Sequence, residues 1–263
     1  MLDLIDPAVI GGTLAVILLV GIFVALAAGR WIGKRTLARH GLATLPSAGS
    51  LETAVFALLG LIIAFTFSGA LSRFDTRRAQ IVDEANAMGT AYLRIELVPA
   101  SVQPKLRETF RSYVDSRIET YRRLPDLAVA RASLARSQEL QGEIWSQAIA
   151  AVRMSGSPPM AELLVLPALN EMFNFTTIRT SATLMHPPVI VYAMLIGLAL
   201  ASAFLAGYQT AGEKAYDWVH QLAFAGTVAF TVYVILDIEY PRLGFVRLDA
   251  FDQVLVNVRQ GMK

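Results

Sequence analysis

The chain contains no cysteine among its 263 residues. Disulfides, thiol nucleophiles and iron–sulfur ligation are therefore excluded, and cysteine usage gives no reading of the redox compartment. Charge is also scarce. Charged residues make up 17% of the chain, below the ~25% usual for soluble domains, and hydrophobic residues make up 55%. The net charge of +2 gives no polybasic footprint for nucleic acid. The three histidines, His40, His186 and His220, lie far apart, each near the edge of an apolar run, and no zinc-ligand spacing joins them. Nucleophile-elbow, phosphate-loop and dinucleotide-fingerprint motifs are missing. So is any sustained strand alternation. The residues before Ala8 include Asp3 and Asp6 and no basic residue, unlike a secretory signal, so the first apolar run is expected to stay in the mature protein. These absences leave a membrane protein with no enzyme, metal or cofactor signature.

What the chain does have is long uncharged runs. Ala8 to Gly29 carries no charge, and neither does Thr53 to Ser72. About 20 such residues cross a bilayer as a helix, at ~1.5 Å rise per residue. A third run follows Pro187 and Pro188 and stays uncharged until Glu213, and a fourth leads from Gln221 to Asp237 and Glu239. The second run is the informative one. Its polarity flips within one turn to Arg73, Asp75, Arg77 and Arg78, with no proline or turn cluster between, so one helix should continue from lipid into water. No ionisable residue falls in the middle of a span, which argues against proton-coupled transport.

Between the second and third spans, proline and glycine mark off helices. One stops before Pro99. The next starts near Ser101, shows an apolar face of Leu106, Phe110, Tyr113, Val114, Ile118 and Tyr121, and ends at Pro125. A third runs from Leu127 to Ser155, and a fourth from Met160 to Thr183 with Pro167 inside. The interleaved acids and bases of this region read as an ordinary solvated face. After Pro241, Leu248, Phe251, Val254, Leu255 and Val258 follow helical spacing, with Asp249 placed to cap the start.

The expected organisation is all-α: four transmembrane helices, two and two, with a helical soluble domain inserted between the second and third. Residues 1–51 hold the first span and a basic connector, 52–72 the second span, 73–185 the soluble domain, 186–239 the last two spans, and 240–263 an amphipathic tail. With four spans, the N-terminus, the inserted domain and the tail share one side. That side offers Arg73, Arg77, Arg78, Arg179, Arg242, Arg247, Arg259 and Lys263, against Arg30, Lys34, Arg35, Arg39 and Lys214 on the other. The balance favours a cytoplasmic domain on an inner (plasma) membrane protein.

Several residues are candidates for function. Gly21, Ala25, Gly29 and Gly33 recur every four residues on the first span, a spacing that admits a close neighbour helix. On the second span, Ala57, Leu61 and Phe65 form one stripe and Phe56, Leu59, Ile63 and Phe67 another. Either stripe suits a constriction that gates by dewetting, and either suits packing on helices or lipid. Asp237 and Glu239 point apart on a helix. They read as the interfacial end of a span, placed to bind a basic residue, with a cation site in a mouth as the second reading.

The run ALLGLIIAFTFSGALSRFDTRRAQIVDEANAMGTAYLR (57–94), with LNEMFNF (169–175) and LDIEYPRLGFVRL (236–248), resembles the bestrophin-like membrane proteins of bacteria, relatives of the bestrophin ion channels. The resemblance covers most of the chain from about residue 50 onward. It implies a homo-oligomer, a pentamer in bestrophins, whose second helix lines a hydrophobic neck just before an Arg–aromatic pair. That pair corresponds to Arg73-Phe74 here, and counting back places the neck at Phe65, Leu61 and Ala57. Ala57 is smaller than the residue the pattern carries there, which implies two bulky rings rather than three. Animal bestrophins bind calcium through an acidic cluster after the last span. This tail has only Asp249 and Asp252. The implied function is an ion channel for small ions, anions ahead of cations, with lipid and its own copies as partners. A non-conducting scaffold or sensor, whose helical domain binds a protein, suits the same residues.

Overall fold

A computed structural model describes residues 7–40, 50–124, 126–212, 218–242 and 244–263. Asp3 and Asp6, the loop expected at Pro46, the stop at Pro125 and most of the turn before the fourth span lie outside the described residues. The element order is α1 (Pro7–His40), α2 (Ser50–Arg94), a 3-10 turn (Ile95–Leu97), α3 (Gln103–Arg122), α4 (Leu127–Val152), α5 (Ala161–Ala182), α6 (Val189–Gln209), a second 3-10 turn (Thr210–Gly212), α7 (Trp218–Glu239) and α8 (Asp249–Gly261). No strand occurs among the described residues. Four helices are long and apolar enough to cross a membrane, over Gly11–Arg39, Glu52–Leu97, Val189–Gly212 and Trp218–Glu239. α2 runs unbroken for 45 residues, because it contains no proline to remove a backbone donor, and Gly60, Gly69 and Gly89 are too isolated to end it. α1 continues past Gly29 to His40, further than its apolar run requires, and Arg35 stacks on Trp31 along this extension.

The chain divides into two compact units, one of residues 1–73 with 186–240, the other of 74–185 with 241–263. In the first, α1 packs on α6 and α7. A Cβ built on Gly29 would overlap the Phe204 carbonyl, and one on Gly207 would overlap the Leu26 carbonyl. Opposite them on α6, Ala199 and Ala203 are completely buried. The small-residue stripes thus bring two backbones together, where dispersion rather than hydrophobicity holds membrane helices.

The second unit has a conventional apolar core. Met88, Phe110, Tyr113, Ile144, Leu169 and Met172 are completely buried, and Leu255 of α8 joins them. Tyr92, Phe110, Tyr113, Phe173 and Trp145 form a continuous edge-to-face series. Asp126 caps α4 by accepting from Ala128 N and Val129 N. Past α4 the chain turns at Gly156, whose φ of +91° suits glycine. Arg259 of α8 donates twice to Asp115 of α3, at 2.8 and 2.9 Å. The cap expected of Asp249 is not made. Leu248 holds the cap position without a side-chain bond, and Asp249 instead accepts from Arg247 at 2.6 Å.

Candidate functional site

Two groups in the first unit concern the predicted site. The first is the apolar face of α2. Phe65 is 66% exposed and Leu61 49% exposed, and Ala57 is exposed on the same side. The second stripe is divided. Leu59 is buried, Phe56 meets the edge of Phe224 at 6.0 Å, and Phe67 is partly exposed. Only 11% of the most apolar window of α2 is buried within the chain, against 33% for α7. The stripe of Ala57, Leu61 and Phe65 is therefore a surface awaiting lipid, water or another copy, while Leu59 is committed to the protomer's own packing.

The second group lies where α2 and α7 reach the end of the unit. Arg73 donates to the completely buried Glu239 carboxylate, from Nε at 2.9 Å and Nη2 at 2.6 Å. His186 Nδ1 lies 3.1 Å from the other oxygen of Glu239, and its ring stacks on Tyr240 with centroids 4.4 Å apart. Glu239 thus gathers a guanidinium and an imidazole, so the basic partner expected for the acidic end of the fourth span is Arg73. Asp237 is buried two residues earlier on α7. Phe74 belongs to the second unit, where the Arg78 guanidinium lies 5.7 Å from its ring and 4.3 Å from that of Phe251.

Sequence reasoning missed a third group, inside the second unit. Glu84 on α2 is completely buried and bonds two arginines. Arg117 of α3 reaches one oxygen at 2.8 Å, and Arg179 of α5 reaches the other at 2.5 Å. Arg179 also donates to Asp252 of α8 at 2.6 Å, and Arg242 donates to the same carboxylate. The Tyr121 ring lies among the three guanidiniums, 3.6 Å from that of Arg179. Burial alone would raise the Glu84 pKa, but the two guanidiniums outweigh it and hold the carboxyl below its ordinary value. Burial opposes the charge of Arg117 too, and Glu84 reverses that, raising its pKa. Arg242 adopts a φ of 101°, outside the regions a side chain favours, at the point where its guanidinium meets Asp252. The reading of these charges as a solvated face is thus wrong for Glu84, Arg117 and Arg179. One signal was available, since Arg117 falls in phase with the apolar face of α3 and Glu84 lies one turn before Met88.

Crystal structures of two variants of a bacterial bestrophin homologue from Klebsiella pneumoniae superpose with TM-scores of 0.68 and 0.61, at 11% and 14% identity. The first alignment covers 93% of this chain and 95% of that one, the second 93% and 97%. A third structure, described as a membrane protein, matches with a TM-score of 0.62 at 11% identity and covers 93% and 97%. At such identities these likenesses establish the fold. No curated protein sequence matches the chain significantly. Family membership rests on the sequence itself: residues 16–250 match the bestrophin-like domain, nearly the whole length of both units, and the chain belongs to the bestrophin-like family.

Proposed function

We propose that the protein is an ion channel assembled from several copies of the chain, five by resemblance to bestrophins, with α2 lining an apolar neck. The observation that carries this reading is the uncovered stripe of Ala57, Leu61 and Phe65 on the span its own chain covers least. Copies arranged around an axis would turn those stripes inward. Leu61 and Phe65 would then form two rings narrow and apolar enough to exclude water when closed. Ala57 would widen the path beyond them. The neck carries no fixed charge, so it sets no ion sign by itself. The resemblance favours anions. Arg73 does not act as a free cation at the end of the helix, because Glu239 holds it. That pair is positioned to fix α2 against α7 rather than to coordinate a permeating ion. The excess of basic residues near the span ends on its side supports a cytoplasmic location for the region 73–185.

Ion flux tests this. The purified chain is reconstituted in liposomes, and reversal potentials are measured under opposed chloride and sodium gradients. Replacing Leu61 and Phe65 together by Ala should raise flux roughly tenfold or more, because dewetting depends steeply on the radius and polarity of the constriction. Unchanged flux in that variant refutes the neck. No flux from folded oligomers of either form refutes the channel and favours the scaffold reading, in which the second unit docks a protein.

A further inference from the structure

α2 is one unbroken helix, so the angular position of a residue along it is set by the helix itself. Asp83 follows Phe65 by about five whole turns, at ~3.6 residues per turn, and therefore stands on the same face as the candidate neck. Exposure keeps that phase. Beyond Phe65 the face continues through Ser68, Asp75, Ala79, Asp83, Asn86 and Thr90, all of them exposed. It changes from apolar to polar, and it carries acids without a base.

The bases of this part of α2 are engaged elsewhere. Arg73 is held by Glu239. Arg77 is buried and donates to the carbonyls of Ala182 and Met185. Arg78 bonds Asp75 at 3.1 Å, so those two charges offset each other. No hydrogen bond or ion pair joins Asp83 to any described residue. Its carboxylate is the uncompensated charge of the face. An exposed acid on a helix is ordinary by itself. Asp83 differs in its phase, because on an unbroken helix a residue in phase with the neck faces whatever the neck faces.

We propose that Asp83 sets the sign of the permeating ion: one carboxylate from each copy forms a negative ring on the conduction path and favours small inorganic cations. The inference rests on the channel reading above, and it opposes the anion preference that the resemblance implies. The neck is uncharged, so it excludes water without choosing a sign. A ring of like carboxylates raises the local cation concentration and depletes anions. Salt weakens this effect, because the Debye length shrinks from ~10 Å at 0.1 M to ~3 Å at 1 M.

Reversal potentials of the reconstituted chain between dilute and concentrated sodium chloride test this. The unaltered protein should reverse on the sodium side of zero, and its preference should fall as both solutions are made more concentrated. Asp83→Asn should lower the sodium-over-chloride permeability ratio roughly threefold or more, since charge of one sign along a path sets potentials of the order of kT or more. Asp83→Lys should carry the reversal to the chloride side, and Asp83→Glu should keep the native value. Asp83 is exposed, so these variants should elute from gel filtration as the native oligomer does. Reversal on the chloride side in the unaltered protein overturns the inference. So does a ratio unmoved in both Asp83→Asn and Asp83→Lys, and in either case the channel reading stands. Absence of flux from folded oligomers refutes the channel and this inference together.

Discussion

Glu84 shows how much a single side chain can decide here. Among the described residues it is the only carboxylate that pairs with both Arg117 and Arg179, and all three are removed from water. Replacing one member of such a group leaves buried charge unpaired, which costs about 3–5 kcal/mol. Glu84→Gln should therefore lower the unfolding free energy by that amount, read as an earlier denaturant midpoint at unchanged slope, with little change in far-ultraviolet helicity. Loss of less than about 1 kcal/mol would mean that water reaches the cluster. The same residue sets an acid limit. Because its folded pKa lies below the ordinary value of 4.5, its stabilising effect is complete above that pH and is lost as pH falls through the lowered value. Unfolding of the native chain should thus steepen below about pH 4.5, and Glu84→Gln should lack that part of the acid transition. In the sequence Glu84 stands beside Asp83 and differs from it only in phase. Asp83 is exposed, whereas Glu84 repeats with Met88 and Ile95 on the buried side. Charge type alone does not separate the two, and a pairing over a long sequence interval cannot be read from one chain.

Elements are more legible than pairings, because local chemistry sets their ends. Pro99, Pro158 and Pro187 deny helix continuation, so the boundaries near them follow from the sequence. The absence of such residues between Ser50 and Arg94 makes α2 a single rod. The small-residue stripes also carry their meaning locally, and they yield a prediction of opposite signs. In an ordinary helix Gly→Ala stabilises by roughly 1 kcal/mol. Gly12 has open space around its Cα, so Gly12→Ala should be neutral or stabilising. At Gly29 the added methyl would meet the Phe204 backbone carbonyl, which cannot rotate away. Gly29→Ala should therefore destabilise the first unit by about 1–3 kcal/mol, measured as an earlier thermal transition in detergent. Equal effects at both positions would mean that α1 and α6 do not approach through this stripe. The outer face of α2 was less legible. Periodicity found two stripes there and gave no reason to choose. The protomer separates them, because Leu59 is used internally while Leu61 and Phe65 are not. What covers those two lies outside the contacts of a single copy, which is all that one sequence encodes directly.

At the scale of the whole molecule, four candidate spans would put the two ends and the region 73–185 on one side, and basic residues near the span ends bear on which side that is. The domain-side residues outnumber those of the connector, yet the connector cluster of Arg30, Lys34, Arg35 and Arg39 is denser. The positive-inside rule counts bases near span ends without subtracting acids, so the pairing of Arg179 and Arg242 with carboxylates does not weaken their vote. The larger number favours the proposed cytoplasmic side for the region 73–185. The lack of native cysteine makes this directly measurable, since any introduced thiol is the only one present. Arg39 and Glu143 are both exposed, one at the end of α1 and the other on α4. With a membrane-impermeant maleimide added to intact spheroplasts, Arg39→Cys should label at once. Glu143→Cys should label only after lysis or in inverted vesicles. The reverse pattern would invert the molecule and show that the dense connector cluster dominates insertion. Labelling of both from one side would contradict the parity of four spans, because Arg39 and Glu143 are separated by the single crossing of α2.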